Sequence, residues 1–216
     1  PGNNTEEYDG TSWTTGGALN TARSGVMMGP AGTQTASVIV GGYTGSVTDA
    51  VEHYDGSSWT NATSLPAVRA NGGFAGLQTA GLVFGAVSPA RTTSTLKYDG
   101  TSWTTAPSLA TTVGGNVGTG TSTAALNFGG SLSSTVSTTA TEEFNESVNV
   151  VTAAAFSAGG NLNTARQRGT GGGTLTAGIC VNGITVDVEE YNGTSWSEQN
   201  NMPTALRDPS GFGTQT

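Results

Sequence analysis

The chain has 216 residues and a formal charge of −8, with one lysine, one histidine and one cysteine. It therefore lacks the basic clusters that hold phosphate backbones and the histidine sets that metal sites and serine triads need. Thirty-four glycines and an abundance of threonine and serine disfavour helices and suit short strands joined by tight turns. No run of about 18 apolar residues is present.

The first predicted elements are two strands, one ending at Tyr8 and one starting at Trp13, joined at Asp9-Gly10. Aspartate and glycine accept positive φ, so a tight Asp-Gly hairpin turn is expected there. A complete unit follows: a glycine-rich strand closing at Gly32-Thr33-Gln34-Thr35, an apolar run Val38-Ile39-Val40-Gly41-Gly42, a strand ending at Tyr54 and a strand beginning at Trp59. The second unit has Gly76-Leu77-Gln78-Thr79, Leu82-Val83-Phe84-Gly85-Ala86, Tyr98 and Trp103. In the third, Gly120-Thr121-Ser122-Thr123 and Leu126-Asn127-Phe128-Gly129-Gly130 precede Phe144, which takes the tyrosine position. Phe156 takes its tryptophan slot, twelve positions on instead of five, so the turn over residues 146–155 has grown by seven. The fourth carries Gly173-Thr174-Leu175-Thr176, Ile179-Cys180-Val181-Asn182-Gly183, Tyr191 and Trp196, and Gly213-Thr214-Gln215-Thr216 ends the sequence.

Spacings of 46, 44, 46 and 47 residues from one Tyr (or Phe144) to the next, with four short strands in each, are the pattern of propeller blades. Residues 1–216 are expected to form a single all-β domain, a β-propeller of about five four-stranded blades, as one unit or as a segment of a longer repeat protein. The last strand, residues 210–216, would lie innermost in the blade whose outer strands are the first two, so both ends share one blade. That blade lacks an apolar Gly-Gly strand; either the chain is a segment of a longer repeat protein, or Pro1-Gly2-Asn3-Asn4 and a neighbouring molecule cover the gap.

The apolar strand ending in Gly-Gly, the Tyr, the Trp about five residues on and the turn toward Arg resemble the kelch repeat over essentially the whole chain. Tyr-Asp-Gly-Thr-Ser-Trp, Leu-Asn-Thr-Ala-Arg and Gly-Thr-Gln-Thr are similar in phrasing to repeat proteins of marine bacteriophage virions. Gly85-Ala86, Asn182-Gly183, Phe144, Phe156 and Val113, which stands in an arginine slot, depart from the pattern.

The recurring Tyr8, Trp13, Tyr54, Trp59, Tyr98, Trp103, Phe144, Phe156, Tyr191 and Trp196 are structural positions, filling space between neighbouring sheets rather than lining sugar pockets. Arg23, Arg69, Arg166 and Arg207 are expected to pair with Glu6, Glu52, Glu142 and Glu189. The doublets Glu6-Glu7, Glu142-Glu143 and Glu189-Glu190 read as surface acids: neighbours in a strand point to opposite faces and cannot flank one glycosidic bond. Cys180, among small and apolar neighbours, reads as an inert buried thiol, and His53 as structural or surface.

Partner contacts are expected in the loops that break the repeat: residues 146–155 (Glu146, Asn149), 131–139 (Ser131, Ser134) and 87–93 (Ser88, Arg91). No catalytic residue, cofactor or metal is expected. The phage resemblance implies a non-enzymatic virion structural or adhesion module, virion-borne or extracellular. Its expected partners are other virion proteins, further copies of itself or host-surface glycans, with no nucleic acid and no membrane insertion. A lectin and a glycosidase are the alternatives.

Overall fold

The computed structural model describes residues 1–146, 155–181 and 185–205. Strands β1 (Glu6–Tyr8) and β2 (Trp13–Thr15) form a hairpin. Blade 1 comprises β3 (Gly32–Thr33), β4 (Ala36–Val40), β5 (Val51–Tyr54) and β6 (Trp59–Ala62); blade 2 comprises β7 (Gly73–Leu77), β8 (Ala80–Phe84), β9 (Thr95–Tyr98) and β10 (Trp103–Ala106). Blade 3 contains β11 (Val117–Gly120), β12 (Ala124–Phe128), β13 (Thr141–Asn145) and β14 (Ala155–Ala158); blade 4 contains β15 (Thr170–Thr174), β16 (Ala177–Val181), β17 (Val188–Tyr191) and β18 (Trp196–Glu198). Each blade is an antiparallel meander in chain order. The chain is a five-bladed β-propeller in which β1 and β2 are the outer strands of the fifth blade. The strand expected over residues 210–216, and with it the sharing of that blade by both ends, lies outside the described residues, as do Asn149, Asn182, Gly183 and Arg207.

The register repeats from blade to blade. Tyr54 faces Trp59, Tyr98 faces Trp103 and Tyr191 faces Trp196, and Phe144 pairs with Phe156, so the lengthened turn leaves the ladder unshifted. The turn between Tyr and Trp is wider than an Asp-Gly pair. Gly56 takes positive φ, at 93°, whereas Asp55 does not, and the Asp55 carboxylate accepts the backbone N–H of Ser57 and of Ser58, both at 2.8 Å. Aspartate serves here as a side-chain clasp for a four-residue turn. Asn192 makes the same bonds to Thr194 and Ser195.

The core lies between blades, one apolar cluster to each interface between successive four-stranded blades. Val38, Val40 and Val51 meet Phe74, Val83 and Leu96; Leu82, Phe84 and Val113 meet Ala125 and Phe144; Val117, Leu126 and Phe128 meet Cys180, Tyr191 and Trp196. Alternation along each strand sends one residue to the blade before and the next to the blade after. Innermost strands approach backbone to backbone: Met28 O accepts from Phe74 N (2.7 Å) and Gly118 N (3.2 Å). A Cβ on Gly118 would lie 2.2 Å from Phe74 O, which explains the glycine-rich inner strands.

Candidate functional site

The repeated polar side chains are engaged between blades. The Tyr54 hydroxyl bonds Glu7, Tyr98 lies 3.2 Å from His53 Nε2, and Tyr191 donates to Glu143 at 2.6 Å. In each case the partner is the residue before the aromatic of the preceding blade. Phe144 has no hydroxyl, and there Lys97 pairs with Glu146 instead. The indole N–H of Trp59 donates to Thr5 Oγ1 (2.9 Å), that of Trp103 to Thr63 O (2.9 Å) and that of Trp196 to Thr141 Oγ1 (3.1 Å). Each reaches the preceding blade, with its ring stacked or tilted on the tyrosine of its own hairpin at 4.4–5.0 Å between centroids.

Two of the expected arginine–glutamate pairs form, Arg23 with Glu52 and Arg166 with Glu189, and all four side chains are buried. The reading of the glutamate doublets as surface acids is thereby corrected: Glu142 and Glu189 are enclosed, while Glu143 and Glu190, turned to the other face, are partly exposed. Each arginine also ties down the residue four before the tyrosine of its unit: Arg23 bonds Ala50 O (2.9 Å), Arg69 bonds Ser94 O (2.9 Å) and Arg166 bonds Asp187 O (2.8 Å). Leu96 stands where Arg69 would meet a carboxylate, so Arg69 adds Ser94 Oγ at 2.6 Å; burial draws its guanidinium below the usual arginine range. Glu142, whose unit has Val113 in the arginine slot, accepts the backbone N–H of Ala110 (2.6 Å) and Thr111 (3.0 Å). Glu6 is exposed.

Val113 leaves the second-to-third-strand loop of blade 3 without its arginine anchor, and a neighbouring loop provides one. Arg91 donates to Ser131 O and Ser131 Oγ, both at 3.0 Å. The loops over residues 87–93 and 131–139 are thus clipped together at one end of the propeller. Ser131, expected as a contact residue, is buried, its hydroxyl donating to Gly114 O at 3.1 Å; it fastens the loop. Ser88 is half-buried and Ser134 exposed. Sequence reasoning missed Leu132 and Val136, which a bond from Leu132 N to Val136 O (2.9 Å) holds at the loop tip, 44 % and 50 % exposed. Glu146 follows β13 and pairs with Lys97; the rest of the loop expected after it, residues 147–154, lies outside the described residues.

A second feature lies beside the fifth blade. A groove of about 200 Å³ runs between β1–β2 and the inner strands of blade 1, lined by Thr5, Glu7, Tyr8, Trp13, Gln34 and Tyr54 among others. Tyr8 is 47 % and Trp13 65 % exposed, whereas Tyr54, Tyr98 and Tyr191 are buried.

Among the described residues no group of three or more His, Cys, Asp or Glu is placed to hold a metal ion. Burial pushes the Cys180 thiol up to about 12 against the opposing field of Arg166, and desolvation lowers His53. Burial and the bond to Glu143 hold the Tyr191 hydroxyl up at about 12. The turn clasp lowers Asp55 to about 2, chiefly through the N–H of Ser58 and the hydroxyl and N–H of Ser57.

Neither a family model nor a curated protein matches the chain. Among solved structures it is similar to that of YjhT, with a TM-score of 0.77 at 12 % identity over 98 % of this chain and 81 % of YjhT. The class these findings define is the β-propeller; at this identity the likeness speaks to fold alone.

Proposed function

We propose that the chain is a non-enzymatic structural and adhesion module of a virion, with the kelch-like blade as scaffold and the repeat-breaking loops as its contact surface. The kelch-like repeat and the similarity in phrasing to marine bacteriophage virion proteins motivate the setting. One observation carries the contact surface: Leu132 and Val136 are held outward at the tip of the loop that Arg91 clips to its neighbour. Recurring Tyr, Trp, Arg and Glu side chains are occupied with holding blades together, so partner recognition falls to residues outside the repeat. Exposed apolar side chains on a braced loop suit a protein partner in the particle or the apolar face of a host-surface glycan.

The test is binding of the purified chain to a glycan array and to isolated particle proteins, alongside a Leu132→Asp/Val136→Asp variant that melts like the parent. Saturable binding that the loop variant weakens about tenfold or more supports the proposal. Binding indifferent to the loop overturns this contact surface. Turnover of any glycan that disappears on replacing one carboxylate overturns the non-enzymatic reading.

A further inference from the structure

At three joints between successive blades an indole N–H reaches back for an acceptor, and the acceptor is one of two kinds. Where the residue three before the preceding tyrosine or phenylalanine is threonine, the N–H takes its hydroxyl: Trp59 donates to Thr5 Oγ1 at 2.9 Å and Trp196 to Thr141 Oγ1 at 3.1 Å. Where that residue is Val51, Trp103 takes the carbonyl of Thr63, one position past the end of β6, at 2.9 Å. The joint between blades 2 and 3 holds both kinds of acceptor, Thr95 Oγ1 and the carbonyl of Pro107, one position past β10. The residue that β13 and β14 bring into the tryptophan register there is Phe156, which has no N–H to offer.

Thr95 carries the consequence. It is 0 % exposed, and its hydroxyl oxygen has no protein partner. Native structures pair such enclosed groups with protein or with ordered water, because leaving them bare is costly. A second oxygen of this kind lies in the same joint. Asn116, also fully enclosed, stands where blades 2 and 4 have Gly72 and Gly169. Its amide nitrogen donates to Asn127 Oδ1 (2.6 Å) and Phe84 O (3.2 Å), which fixes the amide's orientation and leaves Oδ1 without a donor. Thr95 pairs with Phe84 in the ladder, so both oxygens flank one residue. Among the described residues, buried side-chain atoms without a protein partner occur at this joint alone.

We infer that the joint between blades 2 and 3 is a binding site for an ordered water, which stands in for the missing indole N–H by donating one hydrogen to Thr95 Oγ1 and the other to Pro107 O. The other joints show that each of these acceptors lies within reach of the indole nitrogen's place. Phenylalanine is smaller than tryptophan by the very ring that carries the donor, so the exchange that removes the N–H also gives up the room a water needs. Leu82, Phe84, Ala106, Ala125 and Phe144 close the joint with apolar surface, which limits the ligand to a water-sized donor. A water bridging two blades in this way is nearly as good a strut as a direct bond.

The test compares the parent chain with Thr95→Val and Phe156→Trp, by crystallography and by thermal melts. In the parent crystal a water is expected within about 3.2 Å of both Thr95 Oγ1 and Pro107 O, and in Phe156→Trp the indole is expected to replace it. Thr95→Val is expected to lower Tm by about 2–4 °C, because a hydrated hydroxyl loses a bond. A hydroxyl buried dry would do the opposite, since valine then removes an uncompensated polar group. Phe156→Trp should raise Tm and shrink the effect of Thr95→Val, the indole turning to Pro107 O as Trp103 turns to Thr63 O beside Val51. A parent crystal with no water at Thr95, or a Thr95→Val chain that melts at or above the parent, overturns the inference; neither result depends on Phe156→Trp folding.

Discussion

Replacing Arg166 by valine tests how blades are tied, because the chain already contains a natural version of the outcome. Glu189 is buried and accepts from Asn163 N (2.7 Å), Asn163 Nδ2 (2.9 Å), Thr164 N (3.3 Å) and the Arg166 guanidinium. Truncation leaves an enclosed carboxylate with amide donors alone, a change that costs about 3–5 kcal/mol when a buried pair loses one member. Glu142, in the unit with Val113 in the arginine slot, is already held by backbone N–H groups, so the expected cost sits at the lower end, about 3 kcal/mol. For a domain of this size that is a fall in Tm of roughly 6–12 °C. Guanidinium titration followed by tryptophan emission measures it. Adding Glu189→Leu, the residue type that Leu96 supplies at this position in blade 2, is expected to recover part of the loss, since the carboxylate left uncompensated is what costs. A single-variant cost below about 1 kcal/mol, or a double variant whose losses simply add, would refute the argument.

Three further outcomes are expected. Asp55 titrates at about 2 instead of 3.8, with Asp9 and Asp99 also lowered by their turn clasps; carboxylates so depressed contribute stability that is complete above 3.8 and lost as pH falls toward about 2. The triple variant Asp9→Asn, Asp55→Asn, Asp99→Asn, imitating Asn192, should match the parent at neutral pH and lose less stability than the parent across that acid window in thermal melts. Cys180, its thiol held near 12 by burial, should react with a thiol reagent at neutral pH only as fast as the chain unfolds, read by comparing labelling with unfolding rates. Tyr54→Phe removes the hydroxyl that reaches Glu7 and should cost about 1 kcal/mol in chemical denaturation, the same slot holding phenylalanine at residue 144.

The strands and their order were legible because each blade repeats the same apolar alternation and the same Tyr-to-Trp interval, and periodic signals survive without an alignment. The Arg166–Glu189 contact was legible for the same reason: both residues sit at fixed repeat positions. Burial of Glu142 was not, since with Val113 in the arginine slot the sequence shows no cation to accompany an enclosed acid; its compensation comes from the backbone N–H groups of Ala110 and Thr111, which carry no sequence signature. The Arg91–Ser131 clip and the exposure of Leu132 and Val136 were equally hidden. They depend on loops brought side by side through space, in stretches where the repeat gives no register. Gln78 had a readable signal, the glutamine shared by Gly-Leu-Gln-Thr and Gly-Thr-Gln-Thr, but its reach to two carbonyls of the preceding blade requires the geometry.

The ladder of contacts from each third strand to the next aromatic also bears on how such a chain can lengthen or recombine. An acid facing a tyrosine joins β1 to blade 1 through Glu7 and Tyr54, and blade 3 to blade 4 through Glu143 and Tyr191. A duplicated unit bearing that generic pair meets a compatible neighbour wherever it lands. The joint between blades 2 and 3 is different: Lys97 is matched to Glu146, and the phenylalanine beside it has nothing to offer an acid. Blades 2 and 3 thus form a matched couplet within an otherwise repeating ladder, since a transplanted blade at that joint would meet neither the lysine nor the acid it is matched to.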